Sequence, residues 1–197
     1  VLKMSLVEFF ETVGKLKAEK RQGWIDRGVK NPESVADHSH RLSVMALFMA
    51  KKLGLDECKA VKLAVIHDLP ESICGDTASR IKEELQKIPN SEKKAREDAA
   101  LGELCKLLGN EEGAGDLKEL WLEFEEKKSA EARLVYELDR LEAIFQAREY
   151  EENGNFEVSL QEFYDFADAR IEIPEVRAIF EELMTKRAKS GKSARNH

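Results

Sequence analysis

The sequence predicts an all-α fold in one domain, and three observations carry that prediction. Apolar residues recur at helical spacing through nearly the whole chain. No segment of useful length alternates apolar and polar residues as a half-buried strand would. No linker, internal repeat or composition break divides the 197 residues. A charged fraction of 36% beside 42% hydrophobic residues suits helices with one buried and one solvated face.

Taken in order, residues 3–18 place Leu6, Phe9, Phe10, Val13 and Leu16 on one stripe. Asn31-Pro32-Glu33-Ser34 then precedes a helix over 34–53, with Leu42, Met45, Met49 and Leu53 inside and Gly54 as its stop. A shorter helix over 56–68 is apolar nearly all round through Val61, Leu63, Ala64, Val65 and Ile66, which predicts burial. Residues 79–87 are predicted as a short helix closed by Pro89, and 91–108 as a longer one with Ala95, Ala99, Leu104 and Leu108 inside. Residues 109–115 are predicted as a polar turn, after which Asp116 caps 117–127. The longest helix, 129–152, carries Leu134, Leu138, Leu141 and Phe145 on one face and ends at Asn153-Gly154. Segments 160–166 and 174–187 complete the set, with Pro174 tolerated in the first turn. The domain is expected to span 1–188, with the basic residues 189–197 as a flexible tail.

Charge and cysteine usage exclude several classes. A net charge of −7 opposes binding to polymeric nucleic acid, whose phosphates need a basic surface. A small phosphorylated substrate is still allowed, because a metal or a local arginine can reverse the sign at one site. No apolar run approaches the roughly 18 residues that span a bilayer, so no membrane partner is expected. Cys58, Cys74 and Cys105 are odd in number and lack CxxC spacing, which argues for a reducing cytoplasm and against a disulfide framework. The amphipathic, acid-bearing N-terminal segment resembles neither a secretory signal nor a transit peptide.

Chemistry concentrates at His67-Asp68. An imidazole nitrogen and a carboxylate oxygen are the donors that borderline divalent metals accept. Neighbours on an ideal helix diverge by about 100°, yet both can reach one ion where the chain leaves the helix ahead of Pro70. His38 lies at the start of the second helix, and Asp139 beside the apolar stripe of the longest one. A carboxylate placed there must be paired, hydrated or coordinated. The resulting mixed N/O set from three helices suits Mn, Co, Fe, Ni or Zn. His40 faces away from His38, and His197 ends the chain.

Three blocks carry a wider resemblance: GWIDRGVKNPESVADHSHRL (23–42), AVIHDLPESICGDT (64–77) and YELDRLEAIFQAREYEE (136–152). The pattern H…HD…D resembles the HD-domain superfamily of metal-dependent phosphohydrolases. PESVADHS with HDLPE and GD resembles its 5′-deoxynucleotidase family, that of HD domain-containing protein 2 and the YfbR-like enzymes. The resemblance implies a homodimeric helical enzyme that cleaves deoxynucleoside 5′-monophosphates to deoxynucleosides and phosphate. It implies a divalent metal (Co, Mn, Mg, Ni, Fe or Zn) at His38, His67, Asp68 and Asp139, with Glu71 and Asp76 as the acids beside it, which serve catalysis or hold a second ion. Glu71 is then the candidate to orient water or relay a proton; otherwise it is a helix-end surface acid. Asp76 holds water or an ion, or else caps a helix near Ser79.

For substrate contacts the resemblance implies an adjacent Arg-Trp pair, from which this chain departs with Lys20-Arg21-Gln22-Gly23-Trp24. Arg21 is the expected phosphate ligand, ahead of Lys20 and Arg27, because a guanidinium binds phosphate in two-pronged fashion. Trp24 either walls off the sugar or is simply core. The same site chemistry admits other substrates, namely a nucleoside triphosphate, a cyclic nucleotide or an alarmone, and a non-catalytic metal-binding module is a further alternative. Phe156, Phe163, Tyr164 and Phe166 are candidates for core, dimer interface or both.

Overall fold

Backbone capping decides where these helices begin and end. The computed structural model describes residues 6–79, 86–109 and 111–193, and over them the chain is helical with no strand. Helix α1 (Leu6–Gly14) runs into a 3-10 turn at Lys15–Lys17, followed by the short α2 (Gln22–Ile25). Helix α3 (Val35–Leu53) opens on a capping box: Ser34 Oγ accepts from Asp37 N, and the Asp37 carboxylate accepts from Ser34 N at 2.8 Å. It closes on Gly54, whose φ of 68° a side chain would resist. Asp56 caps α4 (Glu57–Ile66), and the short α5 (Glu71–Cys74) follows after one turn. Next come α6 (Asn90–Leu108), α7 (Glu111–Glu125) and α8 (Ala130–Asn153), the last capped by Ser129 and ended by Gly154. Helices α9 (Gln161–Asp168) and α10 (Pro174–Ser193) complete the described chain.

Helix α3 packs on α4 and α8, and those two pack on each other. Their shared interior holds Leu42, Ala46, Leu63, Leu134, Leu138 and Leu141, joined by Tyr164 and Phe180 from α9 and α10. A second apolar cluster lies under α1, α6 and α7, with Leu16, Val35, Ile66, Leu69, Leu104 and Trp121. Helices α3 and α4 contribute to both clusters, so their polar residues near Val35 and Ile66 fall on the seam between them.

Several expectations need correction. Of the predicted stripe, Phe9 and Val13 on α1 and Leu16 in the 3-10 turn face inward; Leu6 and Phe10 stay exposed, Phe10 by 64%. Val65 is exposed because α4 is covered on one side only. In α6 the buried positions are Ala100, Leu101 and Leu104, whereas Ala95 and Ala99 face solvent, since a methyl group weights the phase too little against leucine. Residues 111–115 are helical, not a turn, so Asp116 lies inside α7. Burial of Leu117, Trp121 and Phe124 along one face outweighs the roughly 1 kcal/mol that each helical glycine costs. Helix α10 continues past Arg187 to Ser193, while residues 194–197, the end of the expected tail, lie outside the described residues. The helix expected over 79–87 rests mainly on residues 80–85, which also lie outside them.

Stability should track this partition. Leu138→Ala, at a fully buried α8 position, is expected to lower unfolding free energy by about 2–5 kcal/mol in urea titrations. Phe10→Ala should change it by less than about 0.5 kcal/mol.

Candidate metal centre

Three helices deliver the site. His38 stands in the first turn of α3, immediately after the Ser34–Asp37 capping box. Helix α4 ends at Ile66, and the chain turns there, so His67 and Asp68 do not diverge as neighbours within a helix would: His67 Nε2 and Asp68 Oδ2 are 3.0 Å apart. Asp139 comes from α8, with Oδ1 3.1 Å from His38 Nε2. The two imidazole rings lie 5.4 Å apart. The sequence-predicted group is thus brought together, and one ligand atom each from His38, His67 and Asp139 falls within 4.8 Å of the others.

The far side of each ring assigns its tautomer. His67 Nδ1 donates to the Ala64 carbonyl at 2.8 Å, and His38 Nδ1 donates to Glu142. Both Nε2 atoms are buried and have no hydrogen-bond partner, although each lies near a carboxylate oxygen. Unpartnered lone pairs converging with carboxylates are what a divalent cation requires, and the donor set of imidazole nitrogen and carboxylate oxygen fits such an ion. Glu71, on α5, adds a third buried atom without a hydrogen-bond partner, Oε2. It is not the surface acid that the alternative reading allowed. Asp76 does act as a cap, but on α2: its Oδ2 accepts from Gln22 N, and its own N–H donates to Glu19 at 3.1 Å.

Charge dominates the pocket. Against the pull of burial, His67 and then Arg21 hold the Asp68 carboxyl well below the usual range. Arg140 and His38 do the same for Asp139, again against burial. Glu71 moves the other way, because burial and then Asp68 and Asp76 push it well above its ordinary value. Glu97 on α6 is lifted from 4.5 to about 7, chiefly by burial and in spite of Lys93.

Arg21 and Trp24 border the same cavity but not in the expected manner. The Arg21 guanidinium lies 2.9 Å from Asp68, 3.8 Å from Asp139 and 3.9 Å from Asp76, among the candidate metal ligands. Trp24 is 2% exposed, stacks on Phe163 at 4.0 Å, and donates its indole N–H to Glu33 at 2.8 Å. It is largely core, with one edge on the cavity wall. Arg27 is ion-paired with Glu162. His40 is exposed and takes no part; His197 lies outside the described residues.

The cavity, about 420 Å³, also draws in Lys93 and Arg140, which the sequence did not single out, and two of the aromatics that it did. Lys93 reaches the Thr77 carbonyl at 3.1 Å, and the Arg140 guanidinium lies 3.3 Å from the Tyr136 ring centre. Phe163 and Phe166 close one wall. Nothing in composition marks Lys93 or Arg140, since charged residues on a helix normally face water. The pocket therefore combines an acidic, imidazole-lined floor with basic and aromatic walls.

Comparisons with known proteins agree with this arrangement. A family profile described as HD domain matches residues 13–177. The 5′-deoxynucleotidase HDDC2 of Bos taurus is 41% identical over 183 residues, covering 93% of this chain and 86% of that protein. The Homo sapiens protein of the same name is 40% identical over 185 residues, covering 93% and 87%. Among solved structures, a conserved hypothetical protein from Pyrococcus furiosus superposes with a TM-score of 0.69 at 34% identity, covering 91% of this chain and 99% of that one. The PH0347 protein from Pyrococcus horikoshii gives 0.68 at 32%, covering 90% and 97%.

The raised Glu97 carboxyl yields a pH test. With a folded value near 7 above an unfolded 4.5, its contribution to stability is complete below pH 4.5 and is lost as pH rises through 7. Glu97→Gln should therefore match the parent chain at pH 4.5 and exceed it at pH 8, by up to about 2 kcal/mol in denaturant unfolding.

Proposed function

The chain belongs to the HD-domain family, and we propose that it is a metal-dependent 5′-deoxynucleotidase, hydrolysing deoxynucleoside 5′-monophosphates to deoxynucleosides and phosphate. One observation carries the reading: two buried imidazole Nε2 atoms without hydrogen-bond partners face Asp68 and Asp139 on the floor of a nucleotide-scale cavity. His38, His67, Asp68 and Asp139 are the proposed ligands of a divalent cation. When bound, that cation supplies Lewis acidity toward a phosphoryl oxygen and makes water a better nucleophile near neutral pH.

The chain's own groups account for the rest. Phosphate brings a double negative charge to an acidic floor, so Arg21 and Lys93 are proposed to neutralise its oxygens from the walls. Arg21 is already within ion-pair distance of Asp68, so a phosphate meets the guanidinium beside the ligand carboxylates. Burial and the neighbouring Asp68 and Asp76 favour the protonated form of Glu71, and it is proposed to give a proton to the departing sugar oxygen from Oε2. Asp76 anchors the first residue of α2 and with it the segment bearing Arg21, and it is also close enough to Arg21 to orient it. The edge of Trp24, backed by Phe163, is proposed to limit room at the sugar, where a 2′-hydroxyl would have to fit.

We also propose a homodimer. Val44, Leu47 and Phe48 leave an apolar strip exposed on α3, with Phe48 exposed by 65%. By contrast Tyr164 is buried, and Phe156 and Phe163 pack on the core, so the aromatic cluster near the C-terminus is core and cavity wall. The compartment proposed is the reducing cytoplasm, consistent with three free cysteines; no helix among the described residues is long and apolar enough to cross a membrane.

Two outcomes test these readings. Phosphate release from a matched panel of ribo- and deoxynucleotides with Co(II) or Mn(II) should favour deoxynucleoside monophosphates. Asp68→Ala, checked for folding by circular dichroism, should cut that rate by at least about 1,000-fold; absence of turnover across the panel would exclude the activity. Sedimentation velocity at micromolar concentration should give twice the 22.4 kDa chain mass, and Phe48→Glu should give the monomer.

A further inference from the structure

Glu142 lies one turn beyond Asp139 on α8 and is fully buried. The His38 ring is held between these two acids, with Nδ1 bonded to Glu142 and Nε2 3.1 Å from Asp139. A buried carboxylate is expensive unless its oxygens are matched. Both Glu142 oxygens are: Oε2 accepts from His38, and Oε1 accepts from Arg41 Nε at 2.7 Å. Arg41 in turn reaches Gln146 and Glu149 at 2.7 and 2.6 Å, so its guanidinium is clamped along successive turns of α8.

We infer that Glu142, clamped by Arg41, is a positioning residue that keeps the His38 proton on Nδ1 and thereby sets the affinity of the site for a divalent cation. This rests on the metal-hydrolase reading above. The physical core is a competition for the one proton of the neutral His38 ring, the form that a cation ligand must have. Asp139 stands near Nε2 but outside hydrogen-bond geometry, whereas Glu142 bonds Nδ1 directly. While Glu142 holds the proton, the Nε2 lone pair is available to a cation. Without Glu142, Asp139 draws the proton to Nε2, and the same ring becomes a donor that blocks a ligand position. Glu33, also near His38, is tied through one oxygen to the Trp24 indole, and its carboxylate makes no hydrogen bond to the His38 ring. His67 has only the neutral Ala64 carbonyl behind it, so the two histidines are supported unequally.

The test uses the full chain stripped of metal by chelation and titrated with Co(II) by calorimetry. Histidine ring tautomers are read in the metal-free protein by long-range proton–nitrogen NMR, at a pH where the rings are neutral. Glu142→Gln keeps an acceptor and should weaken Co(II) binding about tenfold, Glu142→Leu nearer 100-fold. Arg41→Met should weaken it less than Glu142→Gln. In Glu142→Leu the His38 proton should move to Nε2 while His67 is unaltered. If the leucine variant does not fold, the glutamine and Arg41→Met variants carry the test. Wild-type affinity in both Glu142 variants, or an unmoved His38 proton, would overturn the inference alone. Absence of Co(II) binding by the unmodified chain would overturn the hydrolase reading together with it.

Discussion

Holding imidazoles and carboxylates together out of water is the constraint on which the rest of this structure depends. Positive groups around Asp68 and Asp139, Arg21 and Arg140 among them, favour their ionised forms, whereas Glu71 in the same pocket does not ionise as easily. The pocket therefore sorts its acids by environment, not by type. Two carboxylates are thereby available as negative ligands, while the third is biased toward its protonated form. That division is useful to a phosphate-ester hydrolase, which needs negative ligands for a cation and a proton for its leaving group.

Such a site needs walls that do not yield, and the two apolar clusters supply them. Helix α3 puts Val35 in one cluster and Leu42 in the other, with His38 between them; α4 does the same with Ile66 and Leu63 ahead of His67. Neither histidine can shift without disturbing both cores, and close-packed interiors resist that. Local caps add to this rigidity. The Ser34–Asp37 box fixes the first turn of α3 one residue before His38, while Val35 N bonds the Glu19 carbonyl and Arg21 N the Glu33 carbonyl, tying the Arg21 segment to the same helix start.

What the sequence made legible was decided by the strength of local signals. Helix α8 has leucines at regular spacing between a serine cap and an Asn-Gly stop, so its ends and its buried face were predictable. The residues that converge on the cavity were equally legible, because histidine is scarce here and the resemblance rests on contiguous blocks. Helix α6 was misphased because alanines give a weak signal, and α7 was started late because glycines read as a turn until Trp121 and Phe124 are seen to be buried. The supporting charges, Lys93, Arg140, Glu142 and Arg41, could not be found from pattern. On a chain that is 36% charged, a lysine aimed into a cavity looks the same as one aimed at solvent.

The displaced arginine has a steric explanation. A Cβ at Gly23 would come within 3.1 Å of the Phe163 ring, and that ring is stacked on Trp24. A side chain at the position before the tryptophan would therefore require the Phe163 ring to give way by a few tenths of an ångström, which disfavours an arginine there. Arg21 and Trp24 are three residues apart across the start of α2, and one helical turn returns both to the same side. Arg21 thus reaches the Asp68 carboxylate from two residues further upstream, and Asp76 caps α2 to hold that turn in place. Phe163 and Gly23 therefore act as a pair. A bulkier residue at 23 would press on the Phe163 ring that stacks on Trp24, so the departure from an adjacent Arg-Trp pair is compatible with that aromatic stack.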